Sequence, residues 1–318
     1  MTNTQVQQCT LSRALEFSGI GVHSGRPAIL SIAPGAADSG YRLARKFEDG
    51  TTTEPIRITY DKVVRTSLCT VVDLGQSVSV STIEHVLSAL SGIGIDNALI
   101  TVEGEECPIL DGSAAPFVEA IFEAGVATLP QRKSFIRILR TVTVRDNDAF
   151  ARLEPHNGRA FDVEIDFNSD VIGRQRMILD WSPRHYAEDV AKARTFGFVE
   201  QAKVLRQAGF ALGSSLENSI AVDGTTILNP GGLRYPDEFV RHKLLDAVGD
   251  LAIAGMPIYG RFRSYKGGHA LNALVLQSLF ASQLNYEVIE ADALPLEMDA
   301  LRDWPENVAV KPYLRSIG

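Results

Sequence analysis

Residues 237–251, DEFVRHKLLDAVGDL, decide the fold, because their pattern predicts a long helix with one apolar face and one polar face. Drawn at about 100° per residue, Leu244, Val248 and Leu251 fall on one side of this helix. His242 and Asp246 are four residues apart and share the opposite side. A solvated polar face is the ordinary alternative. Solvated faces favour lysine, glutamate and arginine, however, so histidine and aspartate here indicate ligands.

A second polar pair, Glu84-His85, lies in the first third of the chain, inside the otherwise apolar segment STIEHVLSALSG. His85, His242 and Asp246 would form a three-ligand set that leaves one zinc position open for water. Neighbouring residues on a helix point about 100° apart, so Glu84 would stand beside the metal without binding it, where a general base is needed. The alternative is a histidine at the edge of the core next to a surface glutamate.

His269 completes the group, since it follows Gly267 and Gly268. The two glycines would let the backbone approach a ligand closely. The imidazole, if it is not a metal ligand, would then serve as a general acid. A turn with an incidental histidine is the alternative. Together the three regions predict metal-assisted hydrolysis.

The composition is that of a globular protein long enough for two ordinary domains. The chain has 318 residues, of which 45% are hydrophobic and 22% are charged. A formal net charge of −8 argues against a general nucleic-acid binder. Three cysteines indicate no disulfide framework, so the cytoplasm is the expected compartment. The first residues lack the pattern of a secretory signal, and no apolar run of about 18 residues predicts a membrane span.

The predicted elements recur in similar order in the two halves of the chain. In the first half we predict strands at about 28–33, 56–60, 68–73 and 97–103, and helices at about 80–91 and 114–126. Ser81 or Thr82 would cap the first helix, and a linker is expected at 127–135. In the second half we predict strands at about 135–145, 149–153, 161–167 and 257–264, and helices at about 237–254 and 268–284. Asp237 would cap the helix at 237–254.

This repetition predicts an α+β fold of two similar domains, each a mixed sheet layered with helices, related by internal duplication. The first domain is expected at 1–130 and the second at 131–292, with a C-terminal tail at 293–318. The second domain carries an extra apolar segment at about 192–230.

Eight stretches spread over nearly the whole chain form a distinctive set. They are SGIGVHSG (18–25), TSLCT (66–70), STIEH (81–85), GIGIDN (92–97), ILDGSAAPF (109–117), ARTFGF (193–198), DEFVRHKLLDAVGDL (237–251) and YKGGHALN (265–272). With these stretches the chain resembles the UDP-3-O-acyl-N-acetylglucosamine deacetylases, the zinc hydrolases of lipid A biosynthesis.

The resemblance implies two α+β domains that face one another across the active site. It implies a zinc ion, with ferrous iron as the alternative in the cell, held by His85, His242 and Asp246. In the same resemblance Glu84 is the general base and His269 is the general acid.

The resemblance also implies supporting residues around this centre. Asp250 would orient the general acid, and Thr195 would help to stabilise the oxyanion. The apolar segment from about 196 to 220 would form the passage for the acyl chain. The residues implied in substrate binding are Lys243, Lys266, Phe196, Phe198, Phe167 and Gly268.

The implied reaction is hydrolysis of the N-acetyl group of an acylated UDP-glucosamine to acetate and a free amine. We expect a cytoplasmic monomer with no nucleic-acid partner and no integral membrane segment. A transient contact with a membrane surface fits an acylated substrate. One alternative is a zinc amidohydrolase acting on a smaller amide, against which the apolar segment argues. The other is a non-catalytic metal-stabilised or ligand-binding module, which would need neither Glu84 nor His269.

Overall fold

The computed structural model describes residues 6–294, 303–304 and 310–312. The elements of the first half are β1 (Gln7–Leu11), β2 (Leu15–Ile20), β3 (Pro27–Pro34), β4 (Tyr41–Lys46), β5 (Ile56–Arg57), β6 (Val63–Arg65), β7 (Val71–Gly75), β8 (Val78–Val80), α1 (Glu84–Gly92), β9 (Ala98–Glu103), α2 (Ala115–Ala124) and β10 (Val126–Arg132).

The second half begins at β11 and alternates strands with helices. Its elements are β11 (Ser134–Ile138), β12 (Val142–Asp146), β13 (Ala149–Glu154), β14 (Arg159–Asp166), β15 (Arg174–Asp180), α3 (Pro183–Asp189), β16 (Phe196–Phe198), α4 (Val199–Gln207), β17 (Ile220–Asp223), β18 (Thr226–Ile227), α5 (Glu238–Ala252), β19 (Ile258–Tyr265), α6 (His269–Phe280), β20 (Tyr286–Glu290) and β21 (Val310–Pro312). Short 3₁₀ turns occur at Tyr60–Lys62 and Ala291–Ala293.

Each half is built on its own mixed sheet. In the first half the strand order is β2-β3-β9-β4-β5, with β6, β7 and β8 forming a smaller sheet beside it. In the second half the order is β12-β13-β19-β11-β20, and β14 joins this sheet by pairing with β19 and β15. Along β9, Ala98, Ile100 and Val102 are fully buried and alternate with partly exposed residues, as one-sided packing requires. The α+β class is confirmed, whereas internal duplication stays a prediction.

Helices α1 and α5, one from each half, pack directly against one another. Small residues allow this close approach: a Cβ added at Gly249 would lie 2.0 Å from the carbonyl oxygen of Glu84. Ser88 of α1 donates a hydrogen bond to the carbonyl of Leu245 at 2.6 Å. All nine residues of α1 are buried. The polar residues of both helices are therefore enclosed between the two halves.

The apolar segment expected at about 192–230 forms a small unit of its own. Strands β16, β17 and β18 make a three-stranded sheet, and α4 follows β16 directly. Helix α4 buries none of its residues, and Val204 on it is 66% exposed. The segment therefore holds the strand Phe196–Phe198 against the rest of the protein while its helix faces solvent.

Four local predictions from the sequence were wrong. The expected linker at 127–135 is instead occupied by β10 and the start of β11, and the single strand expected at 135–145 is two strands, β11 and β12. Helix α1 begins at Glu84 rather than near residue 80, because Thr82 adopts a left-handed backbone with φ of 58°. Neither α1 nor α5 has a side-chain hydrogen bond at its N-cap, so Asp237 does not cap α5 in this way.

Most of the tail predicted at 293–318 lies outside the described residues. Strand β21 pairs in parallel with β10, and Asp303 forms an ion pair with Arg184 at 2.9 Å. The indole nitrogen of Trp304 donates to the carbonyl of Ile93 at 2.8 Å. In the part of the chain that is described, no helix combines the length and apolar character needed to cross a membrane.

Candidate metal centre

The two helices bring His85, His242 and Asp246 together, although the first lies far from the other two in the chain. Oδ1 of Asp246 lies 3.6 Å from Nε2 of His85 and 3.4 Å from Nε2 of His242. The three donor atoms all lie within 4.8 Å of one another, and all three residues are buried. A solvated polar face is therefore excluded for this side of α5.

The environment of His242 selects the form that a metal binds. Nδ1 of His242 lies 3.1 Å from the carbonyl of Ala193, so this nitrogen carries the proton and Nε2 keeps its lone pair. Burial lowers the pKa of His242 to about 3, which keeps the ring neutral. Although burial opposes ionisation of Asp246, His242 and Lys243 hold the pKa of that carboxyl well below its usual range.

Two imidazoles and one carboxylate therefore converge on one point. This donor set suits Zn²⁺ with an open coordination position, and it also suits Fe²⁺. The residues present fit the metal that the sequence predicted.

Glu84 lies beside this triad and outside it. Its Oε2 accepts a hydrogen bond from the backbone nitrogen of Thr70 at 3.0 Å. Its Oε1 lies 4.0 Å from Nε2 of His269. Burial raises the pKa of Glu84, so its carboxylate, once ionised, binds a proton more strongly than an exposed one.

His269 faces Glu84 from the first turn of α6. Its Nδ1 lies 2.8 Å from Oδ2 of Asp250, and Asn272 donates to the same oxygen at 2.8 Å. Burial disfavours the charged ring, but Asp250 outweighs burial and raises the pKa of His269 to about 10. His269 is therefore protonated at neutral pH, with Nε2 directed toward Glu84 and Asp246.

These side chains open into a cavity of about 240 Å³. Thr195 lies on its wall, where its backbone bridges Gly112 and Ile220. The segment that carries Thr195 is attached to α5 by a buried ion pair, in which Nε of Arg194 lies 2.9 Å from Oε1 of Glu238. The rest of the wall mixes polar side chains, among them Thr82, Gln201, Ser214 and Ser219, with apolar ones, which are Val22, Leu68, Ile109, Phe196, Phe198, Ala202, Leu205 and Ala211.

The residues predicted to bind substrate are only partly gathered at this cavity. Lys243, Phe196 and Phe198 line it, and Nζ of Lys243 donates to Oδ2 of Asp246 at 2.7 Å. Phe167 packs behind them, with its ring centroid 5.7 Å from that of Phe196. Lys266 points to Asp148 at 2.8 Å instead.

Gly268, the remaining residue of that group, is the N-cap of α6. Neither Gly268 nor Lys266 is among the described residues that line the cavity. A role for these two residues in substrate binding stays a prediction.

Sequence reasoning missed two residues next to the centre. His23 lies on the cavity wall, and its Nδ1 is buried without a hydrogen-bond partner among the described residues. Glu106 is 2% exposed and accepts hydrogen bonds from the backbone of His23 and Ser24 and from the hydroxyl of Thr82. The glycine-rich stretch around His23 was the one sequence signal for this loop. The sequence next to Glu106 gives no indication that this residue is buried near the site.

A second cavity of about 240 Å³ is lined by Tyr41, Lys133 and Arg159, among other residues. No member of the metal triad lines this second cavity, and Glu84 and His269 do not line it either. The candidate metal centre therefore lines the cavity between α1, α5 and α6 and not this second one.

Comparison with known proteins identifies the family of this chain. The profile of the UDP-3-O-acyl N-acetylglycosamine deacetylase family matches residues 8–281. Proteins named UDP-3-O-acyl-N-acetylglucosamine deacetylase from Brucella ovis, Brucella canis and Brucella melitensis are each 43% identical to this chain. Each alignment spans 286 residues, which cover 89% of this chain and 99% of the relative.

Proposed function

Because the chain belongs to the UDP-3-O-acyl N-acetylglycosamine deacetylase family, we propose that it removes the N-acetyl group from UDP-3-O-acyl-N-acetylglucosamine. The products are acetate and the free amine, and the reaction is an early step of lipid A biosynthesis. The observation that carries the proposal is that the His85–His242–Asp246 triad, the Glu84 carboxylate and the His269–Asp250 pair lie together at one partly apolar cavity.

The metal, Zn²⁺ or Fe²⁺, would be held by His85, His242 and Asp246. When bound, it supplies a Lewis acid that polarises a carbonyl and makes water acidic enough to attack it near neutral pH. Lys243 neutralises the second oxygen of Asp246 and so helps to fix this ligand.

Glu84 acts as the general base and takes a proton from the attacking water. Glu84 lies beside the triad, and its Oε2 accepts a hydrogen bond from Thr70. Its Oε1 faces His269 at the cavity. Thr195 helps to stabilise the negative charge that develops on the acetyl oxygen. The segment that carries Thr195 is anchored by the ion pair between Arg194 and Glu238.

His269 acts as the general acid and donates its Nε2 proton to the departing nitrogen. An amine leaves readily only when it is protonated, so a distinct acid is required. The Asp250 carboxylate at Nδ1 both orients the ring and keeps it charged. Nε2 of His269 lies 4.0 Å from Oε1 of Glu84, so acid and base are close enough to act on the same reacting group.

The substrate occupies the cavity with its acyl chain along the apolar wall and its sugar-nucleotide toward Lys243 and Lys266. Phe196, Phe198 and Phe167 provide aromatic packing for the substrate. We propose a monomer that works in the cytoplasm and touches a membrane surface only transiently.

The test is acetate release from UDP-3-O-acyl-N-acetylglucosamine by protein of measured metal content, alongside the analogue that lacks the acyl chain. We expect release from the acylated substrate alone, lost on chelation and restored by zinc. Equal cleavage of both substrates would favour an amidohydrolase of smaller amides. No release with one metal ion bound per chain would reduce the protein to a metal-binding module.

A further inference from the structure

Thr70 contacts the proposed general base and the carboxylate that supports the proposed general acid, although it is neither a member of the triad nor part of the cavity wall. Its backbone nitrogen donates to Oε2 of Glu84 at 3.0 Å, and its hydroxyl donates to Oδ1 of Asp250 at 2.6 Å. It is 2% exposed and lies immediately before β7. A single residue thus joins the carboxylate of the base to the carboxylate that supports the acid.

The contact with Asp250 occupies the oxygen that His269 does not use. Oδ2 of Asp250 already accepts from Nδ1 of His269 and from Asn272, each at 2.8 Å. Among the described residues, Thr70 is the donor recorded for Oδ1. Because Asp250 is 2% exposed, loss of this donor would leave a buried carboxylate oxygen unpaired, which favours rotation of the group. Rotation of the Asp250 carboxylate would move Oδ2 and so displace the hydrogen bond between Oδ2 and Nδ1 of His269.

We infer that Thr70 is a positioning residue for the reaction, which fixes the general base and the general acid relative to one another through its two hydrogen bonds. The inference rests on the proposed function. According to this inference, loss of the Thr70 hydroxyl slows the reaction, in addition to the stability that is lost with any buried hydrogen bond.

The test uses Thr70→Val, which keeps the shape and the backbone nitrogen and removes the hydroxyl, and Thr70→Ser, which restores the hydroxyl. Thr10→Val is the matched control. The Thr10 hydroxyl is also fully buried and also bridges two groups, donating to Asn97 at 2.7 Å and accepting from Gly35 at 2.9 Å, at a place remote from the site.

We expect Thr70→Val to lower kcat by about 10- to 100-fold with KM and metal content unchanged, since small misplacements of catalytic groups cost that much. Thr70→Ser should return kcat close to the wild-type value. Thr10→Val should lower the melting temperature and leave kcat unchanged. In an Asp250→Asn background, Thr70→Val should add no further loss, because both changes act through the same carboxylate.

A second readout does not depend on turnover. The Nδ1 proton of His269, bonded to a carboxylate, should give a resolved downfield proton resonance, which we expect to shift or broaden in Thr70→Val and to stay in place in Thr10→Val. An unchanged kcat and an unchanged resonance in Thr70→Val would overturn the inference, as would a Thr70→Ser variant as slow as Thr70→Val. A wild-type protein that releases no acetate would instead refute the proposed function, and the resonance would still decide the role of Thr70.

Discussion

At the scale of single residues, three buried carboxylates of the site differ in task because they differ in partners. Asp246 faces two histidines and Lys243, which hold its pKa well below the usual range and suit it to bind a metal. Asp250 is bonded to His269 and supports a charged ring. Glu84 lies 4.0 Å from Nε2 of His269, and there the effect of burial prevails over that charge and raises the pKa of Glu84. Environment, rather than residue type, separates ligand, support and base.

Glu84→Gln tests the base at this scale. The amide keeps the shape of the side chain but cannot take a proton, so kcat should fall by about 10² to 10⁴-fold. Metal content, measured by elemental analysis, should not change, since Glu84 lies outside the triad. The control is Glu105→Gln, which alters a carboxylate that is 61% exposed and pairs with Arg45. Full activity of Glu84→Gln at saturating substrate would show that another group is the base.

At the scale of elements, hydrophobic periodicity was enough to predict that α1 and α5 exist and which residues of α5 share a face. It did not predict where α1 begins, because the left-handed turn at Thr82 is stabilised by a contact with Glu106 from a distant segment. Periodicity also did not predict that α1 and α5 pack against one another. The sequence around Ser88 or Gly249 does not indicate which residues of the other helix they contact. The contacts of Thr70 and Glu106 also join distant segments, so they could not be predicted from the local sequence either.

Gly249→Ala tests the contact between the helices. The added Cβ would lie 2.0 Å from the carbonyl of Glu84, so the helices must separate. We expect the free energy of unfolding to fall by about 1–3 kcal/mol, measured by denaturant titration, and the metal to bind more weakly. Gly231→Ala is the control, because its added Cβ would meet no atom within 4 Å; a change within about 0.5 kcal/mol is expected. Equal stability of the two variants would mean that the contact is not tight in solution.

At the scale of the whole molecule, the α+β class followed from the alternation of predicted strands and helices. The site required more, because His85 and His242 lie in different halves and periodicity alone cannot bring them together. The ligand chemistry of these residue types suggested the pairing, and the resemblance to a family implied the same one. The structure places the triad, Glu84 and the His269–Asp250 pair close together. It does not bring Lys266 to the cavity wall, since that lysine is engaged by Asp148.

Metal removal tests the molecule as a unit. A ligand that binds only the folded state stabilises it by about 2.7 kcal/mol when its free concentration is 100 times Kd. Chelation should therefore lower the melting temperature, and added zinc should restore it. His242→Ala should abolish this shift, whereas His185→Ala, at an exposed position outside the triad, should retain it. A chelator effect that persists in His242→Ala would place the metal elsewhere.

The donation of ligands by both α1 and α5 has a consequence for the life of the protein in a cell. If the proposed metal binds there, docking of the two helices and occupancy of the site would form one linked equilibrium, in which each stabilises the other. In a cell short of the metal the protein would be less stable as well as inactive. Its buried helix α1 would be exposed to solvent more often. Proteases act on such openings. The abundance of the protein, and not only its turnover, would then follow the metal supply.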